Sequence, residues 1–114
     1  MTRRNKFGAV ATVVDGIRFH SKGEAKRWQE LRLLQRAGEI SQLKRQVSFP
    51  MFIGCEQICT LILDFTYETK PRKAGERWTE VFEDFKGVRT PEYKLKAKLF
   101  KALYGREILE TGRK

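Results

Sequence analysis

The chain has 114 residues, room for one compact domain, and 24 Lys and Arg against 14 Asp and Glu give it a formal charge of +10. Apolar residues make up 40%, with eight Phe, two Trp and three Tyr, enough for a core and too much for wholesale disorder. No apolar run approaches the roughly 20 residues of a membrane span, the basic N-terminus lacks the apolar stretch of a signal peptide, and Cys55 and Cys59 are too few for a disulfide framework.

These features predict an intracellular, reduced domain with a polyanionic partner, nucleic acid before an anionic membrane. Residues 1–10, with Arg3, Arg4 and Lys6, read as a flexible basic arm, and residues 111–114 as a basic tail. Between them, residues 11–110 form the folded domain. Ala11 to Val14 and Ile17 to Phe19 flank Asp15-Gly16, a pair that tolerates φ > 0 and predicts a tight hairpin. Ser21 followed by Glu24 has capping-box spacing and opens a helix from about Lys22 to Ala37, stopped by Gly38. Glu24, Trp28, Leu31 and Leu34 share one face of it.

An extended segment runs from Ile40 to about Pro50, with Leu43, Val47 and Phe49 at mostly even steps; Pro50 suits a strand edge or end. Cys59 to Tyr67 is the most strand-like run, apolar on both sides of Asp64, and a polar loop over 68–77 follows. Trp78 to Lys86 alternates, with Glu80, Phe82, Asp84 and Lys86 on one side and Val81, Glu83 and Phe85 on the other. Thr90-Pro91-Glu92 starts a second helix that Gly105 stops, with Tyr93, Ala97, Phe100 and Tyr104 on its core face. A short strand over Glu107 to Glu110 closes the domain. The order, hairpin, helix, three strands, helix, strand, predicts an α/β domain with a mixed sheet.

The placement of acids carries the chemical signal. If the strands of Asp64 and Asp84 pair as a hairpin around Arg72, the two carboxylates meet at one end of the sheet within a few residues of slack. Glu24 on the inward face of the first helix would complete a three-carboxylate cluster beside Lys86. Such a cluster ionises only with help, and a hard divalent cation, Mg²⁺ or Mn²⁺ before Zn²⁺, relieves the repulsion. A cation plus a lysine is what metal-assisted phosphodiester hydrolysis requires.

Glu24, then Asp64, then Asp84-Phe85-Lys86 resembles the PD-(D/E)xK nuclease superfamily, and more narrowly a family of small phage-encoded proteins within it. The matching stretches are Val14 to Ile17, Phe19 to Ala25, Ala37 to Ile40, Asp64 to Tyr67, Val81 to Gly87 and Lys98 to Phe100, in order over most of residues 5–110. The resemblance implies a restriction-endonuclease-like mixed central sheet flanked by helices, Mg²⁺-dependent DNA cleavage and a homodimer. It is similar to Holliday-junction resolvases, which implies branched DNA as substrate and, for a phage protein, the host cytoplasm. It also implies that Asp64, Asp84 and the Phe85 carbonyl ligate the metal, that Glu24 supports the metal or its water, and that Lys86 assists the nucleophile. Leu63 stands where the motif's name has proline. A one-residue strand shift would make Glu83 the inward acid instead of Asp84.

Each of these residues also has a plainer reading. Glu24 serves equally as a capping-box glutamate, Asp64 as a buried acid bonded to Arg or backbone, and Asp84 with Lys86 as a same-face ion pair on a solvated strand. Cys55 and Cys59 lack two further ligands for zinc and read as structural thiols. Arg3, Arg4, Lys6, Lys22, Arg89, Lys94, Lys98 and Lys101 are the candidate DNA contacts. His20 reads as solvent-exposed, or as a general base or phosphate contact, and Lys96 as reaching toward the cleft. A non-catalytic nucleic-acid-binding module of the same fold is the rival function.

Overall fold

The computed structural model describes residues 12–85 and 89–112. Arg3, Arg4, Lys6 and Lys86 therefore lie outside the described residues. A small hairpin comes first, β1 (Thr12–Val14) and β2 (Ile17–Phe19), turning through Asp15 and Gly16, both at positive φ. Next is α1 (Lys22–Arg36), whose N-cap Ser21 accepts the Glu24 N–H at 3.1 Å. The main sheet holds β3 (Ile40–Ile53), β4 (Glu56–Thr69), β5 (Thr79–Phe85) and β6 (Ile108–Thr111), in that spatial order. β3, β4 and β5 are antiparallel neighbours, and β6 pairs parallel to β5 after the crossover through α2 (Pro91–Tyr104). The chain is thus a single α/β domain with a mixed four-stranded sheet and two helices.

β3 differs from its expected extent. It continues past Pro50 to Ile53, and β4 begins at Glu56, three residues earlier than Cys59. The proline is accommodated because β3 is an edge strand and can spare the donor. The result is one long hairpin of two 14-residue strands, turning at Gly54-Cys55.

Two cores pack against this sheet, one beneath each helix. Ala25, Trp28 and Leu31 of α1 pack with Phe19, Ile40, Phe65 and Tyr67, and Trp28 stacks on Phe65 with ring centres 6.1 Å apart. Phe100 of α2 packs with Met51, Leu61 and Leu63, and meets Phe49 and Phe82 edge to face. Val81 joins the first core and its neighbour Phe82 the second, so the helices cover opposite faces of β5. β4 changes core between Leu63 and Phe65, at Asp64.

Two expected core positions are corrected. Leu34 is 38% exposed, one turn beyond Leu31, the last buried residue of α1. Tyr104 is 41% exposed; its ring stacks on Phe100 at the rim while its hydroxyl donates to the Pro50 carbonyl at 2.7 Å. Among the described residues no helix is long and apolar enough to cross a membrane.

Candidate functional site

Phe65 pairs with Glu83, which centres the β4–β5 ladder on residue 74. Asp64 then falls directly opposite Asp84, with no bulge needed. At this point side chains replace the backbone ladder. The Asp64 N–H donates to Asp84 Oδ1 at 3.2 Å, and the Phe85 N–H donates to Asp64 Oδ2 at 2.9 Å. Each carboxylate thus grips the other strand's backbone. Asp64 Oδ1 also accepts from the Gln46 side-chain amide at 3.2 Å, and Gln46 sits on β3 at φ +52, a left-handed conformation unusual for a side-chain-bearing residue. Asp84 is buried and Asp64 half-buried.

β6 adds a third acid to the row. Glu110 pairs with Asp84 in the parallel ladder, accepts from the Tyr93 hydroxyl at 2.9 Å and forms an ion pair with Arg89 at 3.3 Å. Burial first, then the Glu110 carboxylate, push the Tyr93 phenol well above its ordinary pKa, with a smaller push from Asp84. Sequence reasoning missed Glu110. Its strand was foreseen, but the register of a parallel crossover strand has no local signal.

Glu83 and Asp84 are both fully buried, on opposite faces. The choice between them as inward acid dissolves, because the sheet has an inside on each side. Glu83 faces α1 and is satisfied: Arg27 Nε and Nη2 donate at 2.7 and 2.9 Å, the Tyr67 hydroxyl at 2.6 Å and Thr111 at 3.1 Å. Burial and this carboxylate raise the Tyr67 phenol pKa, and the hydrogen bonds to Glu83 hold the Arg27 guanidinium even more firmly protonated against the opposing effect of burial. Nothing in the sequence marked Arg27 beyond its helical position one turn after Gly23.

Glu24 is buried at the start of α1. Beside it Gly23 makes a close approach: a Cβ there would run into the Phe85 ring, and so would one on Gly112 beyond β6. Phe85 is therefore wedged between the first turn of α1 and the end of β6, at the carboxylate pair.

The cations have varied settings. Lys94, Lys98 and Lys101 are exposed along α2 and, with exposed Arg89, line a groove of about 450 Å³ against β6. Lys101 pairs with Glu107 at 2.9 Å, which lowers the Glu107 pKa. Lys96 pairs with Glu92 at 3.2 Å rather than reaching the acids. Lys22 and His20 are exposed, and both cysteines are free thiols.

As a metal site, the pair offers hard oxygen donors followed in the chain by the Phe85 carbonyl. That chemistry suits Mg²⁺, which takes one or two carboxylates and keeps most of its waters. Among the described residues no three Asp, Glu, His or Cys side chains gather closely enough to hold a metal ion. A cation here would rest on Asp64, Asp84 and water.

No curated protein and no solved structure matches the chain. A family model described as "Protein of unknown function (DUF1064)" matches residues 4–111. With nearly its whole length matched, the chain belongs to the DUF1064 family.

Proposed function

We propose that this protein is a Mg²⁺-dependent endodeoxyribonuclease of the PD-(D/E)xK kind, hydrolysing phosphodiester bonds in branched DNA as Holliday-junction resolvases do. The observation that carries the reading is the opposition of Asp64 and Asp84 where β4 and β5 part, with Lys86 two residues further along the chain. The mixed sheet with a helix over each face of β5 supports a restriction-endonuclease-like fold. Asp64 and Asp84 hold the cation, and Gln46 and the Phe85 N–H fix the angle of the Asp64 carboxylate. Glu24 orients water at the helix start, and Lys86 meets charge developing on the phosphate. A bound Mg²⁺ supplies phosphate polarisation and a water of lowered pKa. Arg89, Lys94 and Lys98 grip the backbone of a neighbouring arm, with Mn²⁺ an acceptable substitute at the metal.

One observation favours the rival reading, a DNA-binding module without turnover. The carboxylates already satisfy each other's backbone, so the pair also works as a clasp between strands. The test is cleavage of an end-labelled four-way junction beside linear duplex and single strand, with Mg²⁺, Mn²⁺ or EDTA. Paired nicks at the junction are expected. They should vanish with EDTA and fall at least about a hundredfold in Asp84→Asn, the scale of a lost Lewis acid. Tight binding with no cutting at any metal would establish the rival.

A further inference from the structure

Gln46 on β3, Asp64 on β4, Asp84 on β5 and Glu110 on β6 form a row across the sheet. At the β6 end the row meets Arg89, paired with Glu110, and the groove of α2 lysines. At the β3 end stands Arg45, next to Gln46 and paired in the ladder with Phe65, the neighbour of Asp64. Its guanidinium carbon lies 5.0 Å from the centre of the Phe19 ring, which is fully buried. Stacking of this kind fixes the plane of the group. Arg27, Arg32, Arg89 and Arg106 each meet a carboxylate. Arg45 does not: its Nε is buried without a hydrogen-bond partner, and no acid among the described residues pairs with its side chain. A held cation with a buried, unmet N–H is a cost to the fold that an oxygen ligand from outside removes.

We propose that Arg45 is a phosphate-binding residue, gripping a nucleic-acid backbone at the end of the acid row opposite α2. A planar fork of donors suits a phosphate, which accepts two of them at once. Access is open, because β3 is an edge strand and Gln46 is exposed on it. A strand leaving the carboxylates rounds that edge to reach the face on which Arg45 stacks. Phosphates are repelled by a row of acids, and cations at both ends of the row offset the repulsion. The site rests on the DNA partner proposed above, and not on cleavage.

Fluorescence anisotropy of labelled DNA, titrated in EDTA from about 0.1 to about 1 M salt, tests it without metal or turnover. Arg45→Met keeps an apolar stem over Phe19, so melting followed by circular dichroism should change little. Its log–log salt slope should fall by about 0.9, which makes binding about eightfold weaker at about 0.1 M salt and nearly equal to wild type at about 1 M. Arg45→Lys, which keeps the charge without the fork, should retain the slope and bind more weakly than wild type. Arg72→Met removes the same charge from an exposed position beyond the far end of the β4–β5 ladder and should leave the slope unchanged. A wild-type slope and affinity in Arg45→Met would overturn the proposal, and so would an equal loss in Arg72→Met. A wild type that binds no DNA would overturn this site and the DNA partner together. The expected slopes in a wild type that cuts nothing with Mg²⁺ would uphold the site and remove only the nuclease.

Discussion

Glu83 has no contact with water, and its charge is tolerated because four donors meet it from three elements. Removing one partner is costly in such a pair, since the remaining charge stays buried. Arg27→Ala should therefore lower unfolding free energy by about 3 kcal/mol, read from urea midpoints, whereas a substitution at exposed Arg36 should stay within about 0.5 kcal/mol. Two buried phenols set an alkaline limit. Tyr67 and Tyr93 bind their protons more tightly folded than unfolded. Their contribution is complete below the ordinary phenol pKa of about 10 and is lost as pH rises toward their folded values. Melting temperature should fall above about pH 10, and Tyr67→Phe should flatten that fall while costing some stability at neutral pH.

Among the elements, α2 is the most legible in the sequence, since Thr90, Pro91 and Gly105 each carry a local backbone reason. The structure has Thr90 accepting the Tyr93 N–H at 3.1 Å and Gly105 in the left-handed region at φ +68. Thr90→Ala and Gly105→Ala should each cost about 1 kcal/mol by thermal or urea denaturation. The hairpin at Asp15-Gly16 and the start of α1 were equally readable. The ends of β3 and β4 were not, because a strand's end is set by what lies across from it. Pro50 signalled an edge, and only the sheet order showed that an edge strand could run on through it. The opposition of Asp64 and Asp84 was legible to within a few residues. Its register was not, nor was Glu110, which enters through a crossover whose pairing depends on the packing of α2. That Glu83 and Asp84 are both inward required knowing that both faces of the sheet are covered.

For the whole molecule, charge and shape set the behaviour toward DNA that the proposed function requires. Binding should weaken linearly on a log–log plot as salt rises, because phosphate contacts release counterions. Lys98→Ala should reduce that slope by about one in fluorescence anisotropy titrations and weaken all DNA shapes alike. An unchanged slope would remove α2 from the interface. β3, β4 and β5 each contribute residues to both aromatic cores, and β4 passes from one to the other at Asp64. The Phe85 ring occupies the volume that side chains on Gly23 and Gly112 would need, although these glycines are far apart in sequence. Space there is a shared quantity. Growth at one position demands shrinkage at another, so Gly23→Ala should be destabilising alone and rescued in part by Phe85→Leu. Relatives of this chain that carry a side chain at position 23 should therefore carry a smaller residue at position 85.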